Sequence, residues 1–135
     1  RGFGCGPATL LCRAPGRVNL LGEHVDYNGL PVLPMTMDRS IVVAARGNTG
    51  GRVRVRNMEA SFPAEEFENG PALRPSAQGS WINYCKAAIE GVNARYGDGS
   101  YPGMDALYRG TVPLAAGLSS LVTVRSLMVR SGAGG

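Results

Sequence analysis

The sequence contains few of the residues from which disulfide frameworks and zinc sites are built. It has three cysteines and one histidine in 135 residues, and Cys5, Cys12 and Cys85 form no CxxC pair. That usage argues against a disulfide framework or a zinc site and predicts reduced thiols in the cytoplasm. No apolar run is long enough to cross a membrane, and the first residues lack a signal-peptide pattern. Because the sequence starts at Arg1 and not at methionine, we expect further chain before it.

The excess of positive charge is small. The formal net charge of +4 falls to +2 without Arg125 and Arg130, which lie in the stretch 121–135. Three other arginines alternate with valine over residues 52–56, which predicts a half-exposed strand with its arginines on the solvent face. No row of aromatic residues accompanies them for stacking on bases, so we expect no nucleic-acid partner.

One short stretch concentrates residues that can do chemistry. Residues 14–29 are Ala-Pro-Gly-Arg-Val-Asn-Leu-Leu-Gly-Glu-His-Val-Asp-Tyr-Asn-Gly. Arg17 is a permanent cation with a planar donor fork that suits phosphate, whereas Glu23, His24 and Asp26 offer acceptors and a donor that suit hydroxyl groups. An anion partner and a hydroxyl partner together indicate phosphoryl transfer to a polyol. A solvated turn with surface ion pairs is the alternative for each residue taken singly.

A second stretch has the composition of a phosphate-binding loop. Residues 110–120 are Gly-Thr-Val-Pro-Leu-Ala-Ala-Gly-Leu-Ser-Ser. Glycine and small hydroxyl residues at the start of a helix direct backbone N–H groups and the helix dipole at an anion. The candidate anion contacts are Gly117, Leu118, Ser119 and Ser120. Taken alone, the string also suits a plain loop or a helix cap.

Together, the two stretches resemble the galactokinase family. Residues 16–27 are similar to the galactokinase signature, with Leu21 where the family usually has isoleucine, and residues 32–34 continue the match. Residues 113–120 resemble the family's second motif, Pro-x-x-x-Gly-Leu-Ser-Ser-Ser, and follow the first in the expected order. Galactokinases are GHMP small-molecule kinases, which phosphorylate sugars, mevalonate or homoserine with ATP and Mg2+.

The resemblance implies a role for each matching residue. Glu23, His24 and Asp26 would contact hydroxyls of galactose, and Arg17 would lie near the anomeric hydroxyl and the transferred phosphoryl group. Residues 117–120 would embrace the ATP phosphates. The implied activity is phosphorylation of galactose at its anomeric hydroxyl. Two alternatives stay open: a 1-kinase for N-acetylgalactosamine or another sugar, and a non-catalytic relative that keeps the sugar site.

Between the motifs, the pattern predicts two strands and a helix. Residues 40–46 favour a buried strand, and a turn at 48–51 would join it to the arginine-containing strand in a β-hairpin. Residues 63–76 suit a surface connection. Residues 81–92 have apolar side chains near helical spacing, with Ser80 as a candidate cap.

A tryptophan begins that predicted helix. The segment Trp81-x-Asn83-Tyr84-x-Lys86 is similar to a galactokinase segment whose tryptophan lies near the adenine pocket. Trp81 is therefore a candidate nucleotide contact or, equally, an aromatic of the core. A strand over residues 101–108 would then lead into the phosphate loop.

The resemblance also implies the fold, an α+β GHMP kinase N-terminal domain (ribosomal protein S5 domain 2-like). Such a domain is a mixed sheet with helices packed on one face and an unusual left-handed βαβ crossover. We expect residues 1–120 to form a truncated domain of this kind. Residues 121–135 depart from the family, with Leu121 in place of a serine that helps to hold Mg2+. We interpret them as a frameshifted, mis-spliced or mispredicted tail, and an ordinary Gly/Ala/Ser-rich terminus is the alternative.

Two further parts of a galactokinase have no counterpart in this sequence. One is an aspartate that acts as base or as electrostatic partner for the sugar hydroxyl, and the other is the C-terminal domain that closes the cleft. We therefore expect this chain to be inactive by itself and the full-length protein to be a monomer.

Overall fold

A five-stranded sheet and one helix make up the described part of the chain. The computed structural model describes residues 10–22, 24–70, 73–97 and 103–112. The strands are β1 (Leu10–Leu21), β2 (Leu33–Gly47), β3 (Arg52–Asn57), β4 (Glu65–Glu68) and β5 (Met104–Gly110), and the helix α1 is Ile82–Tyr96. A single 3-10 turn, Asp26–Asn28, lies between β1 and β2.

Strand β5 lies at the centre of the sheet. The strand order is β1-β2-β5-β3-β4, and every neighbouring pair is antiparallel except β3 and β5, which are parallel. The predicted β-hairpin is therefore wrong: the chain turns at residues 48–51, but β5 lies between the two strands that the turn joins. Turn chemistry is local, whereas the neighbour of a strand is decided by pairing with distant parts of the chain.

The helix covers one face of the sheet. Successive side chains of a strand point to opposite faces, so alternate residues of the three central strands pack against α1. The predicted strand over residues 40–46 and the half-exposed strand over 52–56 are confirmed, since Val53 and Val55 are buried on the helix side. The core contains Ile41, Val43, Ala45, Val53, Val55, Met104, Ala106 and Tyr108 from the sheet and Ile82, Cys85, Ala88 and Ile89 from the helix.

The predicted helix is confirmed, but its start differs from the prediction. Trp81 occupies the N-cap position, and no side chain caps the helix. Ser80 takes part through its backbone carbonyl, which accepts the N–H of Asn83 at 3.2 Å, so the predicted side-chain cap is wrong. In the described part of the chain, no helix combines the length and apolarity that a membrane crossing requires.

The connection predicted over residues 63–76 contains a short edge strand. Strand β4 pairs antiparallel with β3, and Arg52 of β3 forms exposed ion pairs with Glu66 at 2.6 Å and Glu68 at 3.5 Å. Charged side chains on an edge strand discourage pairing with another chain.

A buried carboxylate joins the central strands on the face away from α1. Asp105 of β5 accepts hydrogen bonds from Arg54 Nε of β3 at 2.7 Å, Arg46 Nε of β2 at 3.0 Å and Asn48 Nδ2 at 2.9 Å. Burial raises the pKa of Asp105, but the hydrogen bonds from Arg54, Arg46 and Asn48 exceed that effect and lower the pKa overall. The cluster therefore connects β2, β5 and β3 through one ionised group.

Burial makes one of the thiols unreactive. Cys85 of α1 is fully buried beside Tyr108, and this burial raises its pKa to about 12. Cys12 is half-buried, and both thiols are free. Because the thiolate is the reactive form, we expect iodoacetamide at pH 8 to alkylate Cys12 at least about tenfold faster than Cys85 in the native protein. Peptide mass spectrometry measures both rates, and denaturation in urea is the control that should equalise them; fast native labelling of Cys85 would contradict this expectation.

Candidate functional site

Strands β1 and β2 extend beyond the rest of the sheet as a two-stranded ribbon, residues 17–21 with 33–36. Strand β5 pairs with β2 only over residues 41–47, whereas β1 pairs with β2 as far as Leu21 opposite Leu33. Large apolar side chains are exposed on the ribbon and in the connection beyond it. They are Leu20, Leu21, Tyr27, Leu30, Leu33 and Met35.

Arg17 lies at the base of the ribbon, opposite Thr36. The register shifts just before it, because Gly16 alone opposes residues 37–39 of β2. Such a bulge bends a strand and changes where the next side chains point. Arg17 is half-buried, and within the described residues no carboxylate forms an ion pair with it. Its charge is thus placed without a described counterion.

His24 and Asp26 lie in the connection that follows β1. Gly22 has φ +83°, and a Cβ there would lie 2.8 Å from the carbonyl oxygen of Pro31, so this position requires glycine. His24 has φ +58°, an uncommon conformation for a residue with a side chain. Both His24 and Asp26 are exposed, and Asp26 begins the 3-10 turn. Glu23 lies outside the described residues.

The beginning of the second motif lies against the strand that carries Arg17. Val112, the residue before Pro113, is buried, and a Cβ on Gly16 would lie 3.2 Å from its Cγ2. Val112 thus fills the space where a side chain at Gly16 would stand. The structure therefore brings the residue before Pro113 against the residue before Arg17. Gly117, Leu118, Ser119 and Ser120 lie outside the described residues, as does the stretch 121–135.

Trp81 packs at the edge of the core. Its ring makes edge-on contacts with the rings of Tyr108, at a centroid distance of 5.5 Å, and Phe62, at 5.9 Å. Its indole N–H donates to the carbonyl oxygen of Pro63 at 3.0 Å. Trp81 is half-buried, so the observed packing agrees with the core alternative, and the nucleotide contact stays a prediction.

The polar residues of the same segment fasten a loop to α1. Asn83 Oδ1 accepts the N–H of Ser76 at 2.7 Å, and Lys86 Nζ donates to Ser76 Oγ at 2.7 Å. Lys86 also pairs with Glu65 of β4 at 2.7 Å. Similarity to the family singled out this segment, but the sequence contains no pattern that pairs its polar side chains with residues 65 and 76.

Comparison with solved structures defines the class of protein to which this fold belongs. The structure is similar to the mevalonate kinase of Methanococcus jannaschii, with a TM-score of 0.78 at 16% identity over 93% of this chain and 39% of that chain. It is also similar to Lactococcus lactis galactokinase complexed with galactose, with a TM-score of 0.75 at 29% identity over 90% of this chain and 31% of that chain. The predicted fold, that of the GHMP kinase N-terminal domain, is confirmed.

Sequence comparison identifies the relatives within that class. Residues 1–47 match the galactokinase galactose-binding signature. The chain is 41% identical over 114 residues to the galactokinase of Chloroflexus aggregans. The matched residues make up 84% of this chain and 28% of that protein. The chain is thus related to the galactokinases, as its motifs predicted. It spans 28% of the length of the curated relatives that it matches.

Proposed function

We propose that the protein is a galactokinase that transfers the γ-phosphoryl group of ATP to the anomeric hydroxyl of galactose. The observation that carries this proposal is the contact between the two motifs, in which Val112 packs on Gly16, next to Arg17. Phosphoryl transfer depends mostly on positioning and charge stabilisation. Arg17, one residue from that contact in the sequence, would supply the charge that this requires.

Galactose is the sugar that the relatives favour. The related Lactococcus lactis enzyme is complexed with galactose, and the galactose-binding signature includes the position of each proposed sugar contact. Glu23, His24 and Asp26 would hold the sugar hydroxyls. Polar groups that pair with the hydroxyls of a bound sugar discriminate strongly against a sugar that lacks the matching hydroxyl.

In the proposed reaction the anomeric oxygen attacks the γ-phosphorus while the bond to the bridging oxygen of ADP breaks. The hydroxyl proton passes to solvent water as the new P–O bond forms, and ADP leaves with the electron pair of the broken bond. Arg17 would stabilise the negative charge on the phosphoryl oxygens during transfer. Residues 117–120 would bind the phosphates of MgATP, in which Mg2+ arrives with the nucleotide, and Trp81 would border the adenine.

The same proposal implies the partners, the compartment and the oligomeric state of the protein. A kinase of a free sugar needs sugar and MgATP as partners, and we propose that it acts in the cytoplasm as a monomer without nucleic acid or membrane. The free thiols of Cys12 and Cys85 support a reducing compartment. The arginines of β3 need no polyanion, since Arg52 and Arg54 pair with carboxylates of β4 and β5.

The test uses the complete polypeptide that the gene encodes. ATP-dependent phosphorylation of galactose and of N-acetylgalactosamine is assayed, and binding of both sugars is measured by calorimetry. Turnover with galactose supports the proposal. Turnover with the acetylated sugar alone indicates a 1-kinase for that sugar, and binding without turnover indicates a non-catalytic relative; either result overturns the proposal.

Asp26→Asn tests the sugar-binding side separately. Because Asp26 is exposed and begins a short 3-10 turn, its amide should leave the fold intact and remove only a charged acceptor. We expect about 10- to 100-fold weaker galactose binding by calorimetry. Asp38→Asn is the matched control, since the side chain of Asp38 is 91% exposed on β2. Equal affinity for galactose in the two variants would refute a role for Asp26.

A further inference from the structure

Strand β5 is held to β2 one residue beyond the end of their ladder. The last paired residues are Ile41 and Gly110. The N–H of Thr111 then donates to the carbonyl oxygen of Ser40 at 2.9 Å, and the Thr111 hydroxyl donates to the same oxygen at 3.2 Å. In return, the N–H of Ser40 donates to Thr111 Oγ1 at 3.1 Å. A threonine side chain thus adds two hydrogen bonds where strand pairing ends.

Ser40 also connects this point to the strand that carries Arg17. Arg13 of β1 donates from Nε to Ser40 Oγ at 2.9 Å, and Ser40 is buried. The next residue, Val112, packs on Gly16 of β1. Two consecutive residues at the end of β5 are therefore fixed against β1 by different means, Thr111 by hydrogen bonds through Ser40 and Val112 by packing.

We propose that Thr111 and Val112 are positioning residues that set where the phosphate motif starts relative to Arg17. The inference rests on the proposed function. Gly16 is one residue from Arg17, and Val112 is one residue from Pro113, so each step adds only about 3.8 Å between α-carbons. Because this connection is short and is held both by hydrogen bonds and by packing, a small shift of Thr111 or Val112 is transmitted to the reacting groups. A misplacement of about 1 Å can cost about 100-fold in rate. His24 and Asp26 lie beyond the ribbon, so galactose binding does not depend on this path.

Thr111→Val and Thr111→Ser test the hydrogen bonds between Thr111 and Ser40. Valine keeps the branched shape and removes the hydroxyl, whereas serine keeps the hydroxyl. In the complete polypeptide we expect kcat to fall about tenfold in Thr111→Val and about twofold or less in Thr111→Ser, with the galactose Kd changed by about twofold at most. An unchanged kcat in Thr111→Val, equal losses in both variants, or a parallel loss of galactose affinity would overturn the proposal.

A double-mutant cycle tests the packing of Val112 on Gly16. A Cβ at Gly16 would stand 3.2 Å from Val112 Cγ2, so Gly16→Ala should displace Val112 and lower kcat about five- to tenfold. In the Val112→Ala background the same change should cost about twofold or less, because the obstructing methyl groups are gone. Gly47→Ala is the control, since a Cβ there meets no atom within 4 Å. Equal losses in the two backgrounds would overturn the proposal.

Assay of the wild-type protein distinguishes failure of the proposed function from failure of the positioning inference. If it turns over no sugar, the proposed function fails and this inference fails with it. If it phosphorylates galactose and the variants match it, only the positioning inference fails. Circular dichroism reports folding, and if Thr111→Val does not fold, the Gly16 and Val112 cycle decides.

Discussion

Arg17→Ala should lower kcat by about 100- to 1000-fold while galactose still binds with nearly unchanged affinity. Arg17 lies at the base of the ribbon, one residue after the glycine on which Val112 packs. In the proposed reaction its charge acts on the phosphoryl group during transfer and not on the sugar hydroxyls. The effect should therefore appear in turnover, measured by coupled ADP release, and not in the galactose Kd measured by calorimetry.

Two further variants test whether the expected loss of turnover is specific to the guanidinium of Arg17. Arg17→Lys keeps the charge but loses the planar donor fork, so it should recover only part of the lost rate. Arg52→Ala removes an arginine whose partners are the exposed Glu66 and Glu68, and its turnover should match the wild type. Wild-type kcat in Arg17→Ala, or an equal loss in Arg52→Ala, would refute the proposed role.

Asp105→Asn should lower the free energy of unfolding by about 2–4 kcal/mol. The side chain of Asp105 is 1% exposed and receives hydrogen bonds from Arg46, Arg54 and Asn48. Removing one charge of a buried ion pair takes that counterion away from the opposite charges, which typically costs about 3–5 kcal/mol. The loss expected for Asp105→Asn is smaller than this typical cost because Arg46 and Arg54 are partly exposed and keep contact with water. Urea denaturation followed by circular dichroism measures the change.

The pH dependence of stability gives a second test of Asp105. Its pKa in the folded protein lies below the ordinary value of 3.8, so the unfolded chain binds this proton more tightly. The stabilisation is complete above the unfolded pKa and is lost as the pH falls through the folded pKa. The stability difference between wild type and Asp105→Asn should therefore narrow below about pH 4. Glu66→Gln, at an exposed ion pair, should show no measurable change at any pH, and a difference that stays constant to pH 2 would refute the account.

The sequence contained more information about the chemistry than about the arrangement of strands. Arg17, His24 and Asp26 stood out because several residues with complementary chemistry lie within a few positions of one another. The strand over residues 52–56 was predictable for a similar reason, since alternation of arginine and valine is a local pattern with the period of a strand. Both predictions depend on neighbours in the sequence.

Of the two predictions that were wrong, the β-hairpin concerned contacts between distant residues and the cap concerned the start of the helix. The turn at residues 48–51 is present, yet the strands that it joins are separated by β5, which comes from more than 50 residues later in the chain. Ser80 has a side chain suited to capping, but Trp81 is the N-cap of the helix and no side-chain hydrogen bond caps it. No local pattern encodes which strand inserts into a sheet.

The same division applies to the candidate site. The sequence by itself determined its family resemblance and the residue types of its two motifs, because these depend on the identity and spacing of neighbouring residues. Only the tertiary structure decided that Val112 packs on Gly16, that Thr111 bonds to Ser40 and that Asp105 joins three strands. Each of these contacts requires β5 to lie beside β2. That placement results from burying alternate residues of both strands under α1, which is a property of the whole packed core and not of any one segment.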